Sequence, residues 1–212
     1  IYCYTEIMKT LFNDDWQFAL KEIDNSSILS PVDFLQDSSQ LSYESIQVPH
    51  DWMITDTLDL YKNSVGFYKK DFILQNTADS HVAIRFEGVY MNCAVWVNNK
   101  LAGEWKYGYS AFNIDITDYI NRKGSSNTIA VRLQNIEESS RWYPGAGLYR
   151  PVTLIETGRT AISQWGVNVK TLCLNDNGTV SAQLSADIDN SEGKMLQVEF
   201  DVQTDSRQRT VF

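Results

Sequence analysis

Cysteine and histidine are scarce in this chain of 212 residues, with three and two copies respectively. Cys3, Cys93 and Cys173 are far apart and odd in number. That pattern argues against a disulfide framework and reads as reduced, mostly buried thiols of a cytosolic protein. The two histidines, His50 and His81, have no cysteine or carboxylate at ligand spacing, so no metal site and no cofactor is expected. Positive charge is also short: 18 Lys and Arg face 27 Asp and Glu, a net charge of -9. An acidic chain without a basic run or an RNA-reading motif is a poor partner for nucleic acid or an anionic membrane. No apolar stretch is long enough to cross a bilayer, and the start shows no signal-peptide pattern. A cytoplasmic location is the expectation. Long helical periodicity, internal repeats and low-complexity tracts are missing as well.

What is present is apolar and aromatic. Hydrophobic residues make up 43% and aromatic residues 12% of the chain, enough for a real core. Residues 1–9 read as a leader segment in which Met8-Lys9-Thr10 resembles a natural start. Strand signals follow. Trp16, Phe18 and Leu20 alternate with polar or small residues. Residues 24–45, rich in Ser and Asp, read as a surface loop. Short strands are expected at 46–48, 66–74, 81–87, 93–97, 101–105, 112–116, 128–133 and 152–155. Asn98-Asn99-Lys100 makes a hairpin tip, because Asn tolerates left-handed backbone. Thr117 is placed as the cap of a single helical turn. About eight or nine strands before residue 157, with frequent turns, predict an all-β jelly-roll sandwich over 10–157. From 158 the texture changes: fewer aromatics, and longer strands at 162–174, 178–188 and 195–204, with another beginning at 209. These read as the first half of an immunoglobulin-like sandwich over 158–212. It stops after about 55 residues, where such a domain needs roughly 100, so the natural chain is expected to continue. An incomplete sandwich leaves open strand edges and exposed apolar positions such as Val198, Phe200 and Val202. Pairing with a second copy, a homo-oligomer, is therefore expected.

Chemistry concentrates in Arg141-Trp142-Tyr143-Pro144-Gly145-Ala146-Gly147-Leu148-Tyr149-Arg150. Pro144 removes a backbone donor and the two glycines permit positive φ, so this is irregular backbone carrying rings and guanidinium groups. Rings stack on sugar faces and a guanidinium grips hydroxyls or carboxylates. A structural plug closing one end of a sandwich fits the same residues. In His50-Asp51-Trp52, Asp51 can accept bonds from two sugar hydroxyls or cap the next turn, while Trp52 suits the core. Trp96, Trp105, Tyr107 and Tyr109 read as rings packed along a sandwich face rather than a binding platform. No carboxylate stands in a context that marks it as catalytic, and a triad drawn from Ser110, His50 and Asp51 has no specific support.

Several strings together resemble one family. They are Val48-Pro49-His50-Asp51-Trp52, Gly66-Phe67-Tyr68, Arg85-Phe86-Glu87-Gly88-Val89, Val95-Trp96-Val97-Asn98 and Gly108-Tyr109-Ser110-Ala111-Phe112. Asp115-Ile116-Thr117 and the 141–150 stretch complete the set. Their order and spacing are similar to the N-terminal sugar-binding domain of glycoside hydrolase family 2, which includes β-galactosidases, β-glucuronidases and β-mannosidases. The resemblance implies a jelly roll, an immunoglobulin-like sandwich and a TIM barrel in series. It implies a retaining mechanism run by two glutamates on the barrel, beyond residue 212. These residues alone would then hydrolyse nothing. The residues it assigns to the sugar pocket are Asp51 and Arg141, with Trp142 nearby. The carbohydrate expected is a non-reducing terminal β-glycoside, most simply a galactoside. Some relatives carry an aspartate near the position of Arg141 that helps hold sodium; an arginine cannot, so that site is not carried over. A free-standing carbohydrate-binding module and a purely structural buttress are the competing readings.

Overall fold

The computed structural model describes residues 7–23, 40–54, 62–74, 80–136, 145–203 and 209–211, with side chains up to residue 200. Residues 8–156 form one compact unit, and residues from Thr157 onward belong to a second.

The first unit is built from β1 (Met8–Leu11), β2 (Trp16–Glu22), β3 (Glu44–Ile46), β4 (Ser64–Phe72) and β5 (His81–Phe86). It continues with β6 (Cys93–Val97), β7 (Lys100–Trp105), β8 (Phe112–Asp115), β9 (Asn127–Asn135) and β10 (Val152–Thr157). One sheet has the order β3-β2-β4-β9-β6-β7 and the other β1-β10-β5-β8. Every pairing in the six-stranded sheet is antiparallel. The chain passes repeatedly between the sheets, as a jelly-roll sandwich does. Strand β5 shows why these sequences become strands. Val82, Ile84 and Phe86 are buried, while His81, Ala83 and Arg85 between them are not. A period of two puts one apolar set on one face.

The two inner faces meet in a single core. Trp16, Phe18, Tyr68, Val95, Ile129, Val131 and Leu133 of the large sheet pack with Ile84, Phe86, Phe112, Val152 and Leu154 of the small one. Each fully buried large apolar side chain contributes on the order of 1.5–3 kcal/mol. Trp16 spends its indole N–H on the Phe12 carbonyl at 2.7 Å, so the one polar group of its ring is satisfied.

Several expectations need correcting. Met8 and Lys9, read as leader, lie in β1 and pair with Glu156 and Ile155 of β10. Leu20 is 42% exposed and Ala19 is buried, so the inner alternation stops at Phe18. The reason is that the large sheet buries apolar residues on its outer face too. Ala19, Val65, Phe67, Ala94 and Trp96 cluster there, with Leu41 and Tyr43 packed against them. On the inner face, Trp52 takes the space beyond Phe18, its ring stacked at 5.5 Å and 24°. It lies over Gly66, where a Cβ would come within 2.4 Å of its Cζ3. Thr117 does not cap its 3-10 turn (Thr117–Tyr119). Its hydroxyl instead accepts from the Val82 N–H at 3.0 Å and ties the turn to β5. The hairpin tip is as expected: Asn98 and Asn99 have φ of 49° and 65°.

In the second unit β11 (Thr160–Leu174) and β12 (Val180–Asn190) form an antiparallel hairpin. Residues 195–200, expected to be a strand, are irregular, and only β13 (Asp201–Gln203) pairs with β14 (Arg209–Val211). Of the apolar positions expected to be exposed, Val198 is, Phe200 is half-buried, and the side chain of Val202 lies outside the described residues. Cys173 is exposed, against the expectation of burial, whereas Cys93 is fully buried and its thiol is held strongly protonated by burial.

The Trp52–Gly66 contact gives a direct test. Gly66→Ala should cost about 1–3 kcal/mol, because the core must shift around a new methyl group. Leu20→Ala, on the same patch but exposed, should stay within about 0.5 kcal/mol. Thermal unfolding of both variants beside the wild type checks the pair, and equal melting temperatures would contradict the packing described.

Candidate functional site

Two connections meet at one end of the sandwich. The first is the loop His50–Ile54, which follows β3. The second is the strap 145–150, which leads into β10. They are bonded as if they were strands: His50 N–H donates to Leu148 O at 2.8 Å, and Trp52 N–H donates to Ala146 O at 3.0 Å. On its other side the strap exchanges two bonds with Tyr90, Gly147 N to Tyr90 O and Tyr90 N to Gly147 O, both 3.1 Å. Gly147 has φ 147° and passes so close that a Cβ would lie 2.1 Å from the His50 carbonyl oxygen. No other residue fits there without moving one of the loops.

Asp51 fixes the junction. One carboxylate oxygen, Oδ1, accepts from the Met53 N–H at 3.0 Å within its own loop. The same oxygen accepts from the Ala146 N–H of the strap at 2.9 Å. The carboxylate thus closes a turn and bridges two loops 95 residues apart in sequence. Hydrogen bonds to a charged group are each worth roughly 1.5–3 kcal/mol. The capping role, which the sequence left open beside sugar binding, is realised here, and the same oxygen adds a bridge between loops that the sequence did not indicate.

Behind Asp51 lies a pair the sequence reading missed. His50 Nδ1 is 2.8 Å from the hydroxyl of Tyr68. Burial keeps that phenol protonated, raising it well above its usual range, while a hydrogen bond from the Leu148 backbone acts the other way. With its oxygen accepting from Leu148 N–H, the phenol has its own proton to donate to Nδ1. Donation in that sense matches the neutral tautomer with its ring proton on Nε2. Burial lowers His50 below its ordinary value, against the opposing pull of Glu44 and Asp51. The signal available in the sequence was a buried tyrosine, which needs a polar partner for its hydroxyl. With Nδ1 held by Tyr68, the arrangement Ser110–His50–Asp51 is not a catalytic triad. A cleft of about 310 Å³ opens beside His50, walled by Phe18, Tyr43, Glu44 and Trp52.

Of the predicted site residues, Asp51 sits at this junction. Arg141 and Trp142 lie outside the described residues, as does Cys3. The described strap starts four residues after Arg141, at Gly145. Among the described residues no group of three or more His, Cys, Asp or Glu side chains could hold a metal ion. No helix of the described chain is long and apolar enough to cross a membrane.

The His50 environment sets a pH dependence. Its folded-state value is lowered from 6.5. The stabilisation is therefore complete above 6.5 and is lost as pH falls through the folded value, because the unfolded chain binds the proton more readily. Unfolding of the wild type measured from pH 7.5 downwards should show this loss beginning below about 6.5. His50→Gln should flatten that limb, and an unchanged slope would count against the assignment.

Known proteins share this architecture. The family described as glycosyl hydrolases family 2, sugar binding domain, matches residues 7–158. A β-galactosidase of Bacteroides ovatus is 33% identical over 181 residues, covering 80% of this chain and 20% of that protein. A β-glucuronidase of Bacteroides fragilis is 33% identical over 130 residues, 56% of this chain and 18% of its own length. The crystal structure of a β-glycosidase from Bacteroides vulgatus superposes over 97% of this chain and 28% of its own, with TM-score 0.73 and 26% identity. The chain thus spans about a fifth of the curated relatives it matches. By the match over residues 7–158 and the fold it adopts there, this chain belongs to glycoside hydrolase family 2, of which it carries the sugar-binding domain.

Proposed function

We propose that this chain is the non-catalytic front part of a retaining exo-glycosidase of β-galactosidase type, and that Asp51, Arg141 and Trp142 contact the terminal sugar. The observation that carries the reading is the Asp51 bridge. A carboxylate held by two backbone N–H groups has a fixed plane and still has acceptor capacity for sugar hydroxyls. The same bridge orients the strap whose preceding residues include Arg141 and Trp142. Relatives named as β-galactosidases and β-glucuronidases support a β-glycoside as substrate, and the galactoside is the narrower proposal. The two glutamates of such a mechanism would come from a barrel in the complete protein. In this reading the sandwich adds no acid, base or nucleophile. It contributes position: hydroxyls gripped away from the reacting bond hold the sugar where the glutamates act.

The test uses two variants of the complete enzyme. Asp51→Ala should lower kcat/KM on an aryl β-galactoside by about tenfold or more, the order expected for a lost charge-assisted bond. Asp51→Asn keeps an oxygen that can accept from Met53 and Ala146, so it should melt close to the wild type. Its remaining kinetic defect then reports the charge facing the sugar. Wild-type kinetics in both variants would remove Asp51 from the pocket. A Tyr68→Phe variant separates support from contact: loss of the hydroxyl frees the His50 ring, and thermal stability should fall by about 1–3 kcal/mol for the stranded buried partner.

A further inference from the structure

On the far side of the strap lies a group of rings that the Asp51 site does not use. Trp105 ends β7, and Tyr107 and Tyr109 follow it in the connection to β8. They are 37%, 54% and 39% exposed. Their residue type made them look like core, and the structure instead sets them out in water. Trp96, expected to behave like them, is buried.

Exposed rings on a loose loop would mean little, but this loop is pinned. Gly108 lies flat on the Tyr90 ring, where a Cβ would be 2.3 Å from Cδ2. Its carbonyl accepts the hydroxyl of Tyr149 at 2.8 Å. Tyr90, fully buried, is itself bonded to the strap at Gly147. Each exposed ring is also held in orientation. Trp105 stacks on Phe112 at 5.1 Å and 14°, so the face it shows to solvent is flat. Tyr109 stands edge-on to Tyr90 at 5.4 Å and 74°, and Tyr107 leans on Tyr109 at 5.5 Å and 58°. The result is a fixed set of flat and tilted rings. Lys106 and Glu104, both exposed, supply polar groups between and beside them.

We propose that Trp105, Tyr107 and Tyr109 form a second carbohydrate-binding surface, stacking on consecutive pyranose units of a β-linked glycan. A pyranose presents C–H groups on its faces and hydroxyls round its rim, which suits flat rings edged by phenols and charged side chains. Rigid tyrosine and tryptophan give large contact at small entropic cost, and a pinned loop reduces that cost further. The surface shares the strap with the Asp51 junction: Ala146 bonds Asp51, and Tyr149, three positions on, bonds Gly108. An extended chain of at most about 11 Å separates those two strap residues. A glycan held on the rings would therefore lie beside the junction. The inference does not depend on Asp51 touching substrate. The Tyr109 phenol is pushed up to about 12 by desolvation and its hydrogen bond with Tyr90. Binding should accordingly be flat between pH 6 and 9, below the ordinary tyrosine range near 10.

The test needs no turnover, so its result is separate from the fate of the Asp51 proposal. The 212-residue chain is run through native gels containing β-1,4-galactan, xyloglucan or xylan, with starch as an α-linked control. Retardation is expected in at least one β-linked gel, weakened fivefold or more by Tyr107→Ala and by Trp105→Ala. Tyr107→Phe keeps the ring and should retain most of it; Ile73→Ala, an exposed apolar residue elsewhere, should change nothing. Trp105→Ala uncovers Phe112 and can disturb folding, so Tyr107→Ala, at a residue more than half exposed, is the deciding variant, with its melting temperature measured alongside. No retardation in any gel, or equal retardation of wild type and Tyr107→Ala, overturns the proposal. So does ring-dependent self-association in sedimentation without glycan binding, which would make the surface a contact between copies.

Discussion

The arrangement at the end of the sandwich depends on one close approach, that of the strap to the His50–Trp52 loop at Gly147. Two segments from distant parts of the sequence are laid side by side with backbone hydrogen bonds on both edges. Backbone groups that would otherwise be buried and unsatisfied are paired there. The approach demands a residue without Cβ, and it demands something to hold the two loops in register. Asp51 does the second job by accepting from both loops through one oxygen. His50 and Tyr68 do it again from below, since the phenol reaches both the imidazole and the strap. Three interactions of different kinds therefore constrain the same few ångströms of backbone.

Much of the scaffold was legible because it follows short-range rules. Alternation marked β5, and the tolerance of Asn for left-handed backbone marked the tip at Asn98 and Asn99. Failures occurred where tertiary context reverses a local signal. Leu20 reads as core by period, but Trp52 from a later loop occupies the inner face over Gly66, and the outer face is apolar in its own right. Tyr107 and Tyr109 read as core by residue type, yet a glycine between them is committed to Tyr90, so the loop turns its rings outward. Thr117 reads as a cap, but its hydroxyl serves the neighbouring strand β5. In each case the deciding partner is more than thirty residues away or sits on a different element, and no local window contains it.

The candidate site was legible by a different route. The glycine-rich strap stood out because it combines residue types that neither strand nor helix needs, whereas Asp51 was assigned to the pocket only through the family resemblance. What the sequence could not supply was the division of labour inside the site. A carboxylate on a loop can cap, bridge or bind, and residue type does not choose among these. The geometry shows that bridging and capping are done by the same oxygen. His50, dismissed as a metal ligand, turns out to be bonded to a buried phenol, a positioning role that depends on a partner eighteen residues away.

Orientation is also what links the two faces of the strap. A site that acts through position needs rigid loops, because a small displacement of a gripping group weakens every bond it makes at once. The jelly roll supplies that rigidity through a core shared by both sheets, and the strap transmits it to either side. On one side it carries the carboxylate junction, on the other the pinned rings. Tyr90, buried and bonded to Gly147, stands between them and also seats Gly108. A change at Tyr90 would therefore disturb both faces together, whereas changes at Asp51 or Tyr107 would disturb one. That asymmetry follows from where the hydrogen bonds run, and it makes Tyr90, a residue that need touch no ligand, the structural hinge of this end of the fold.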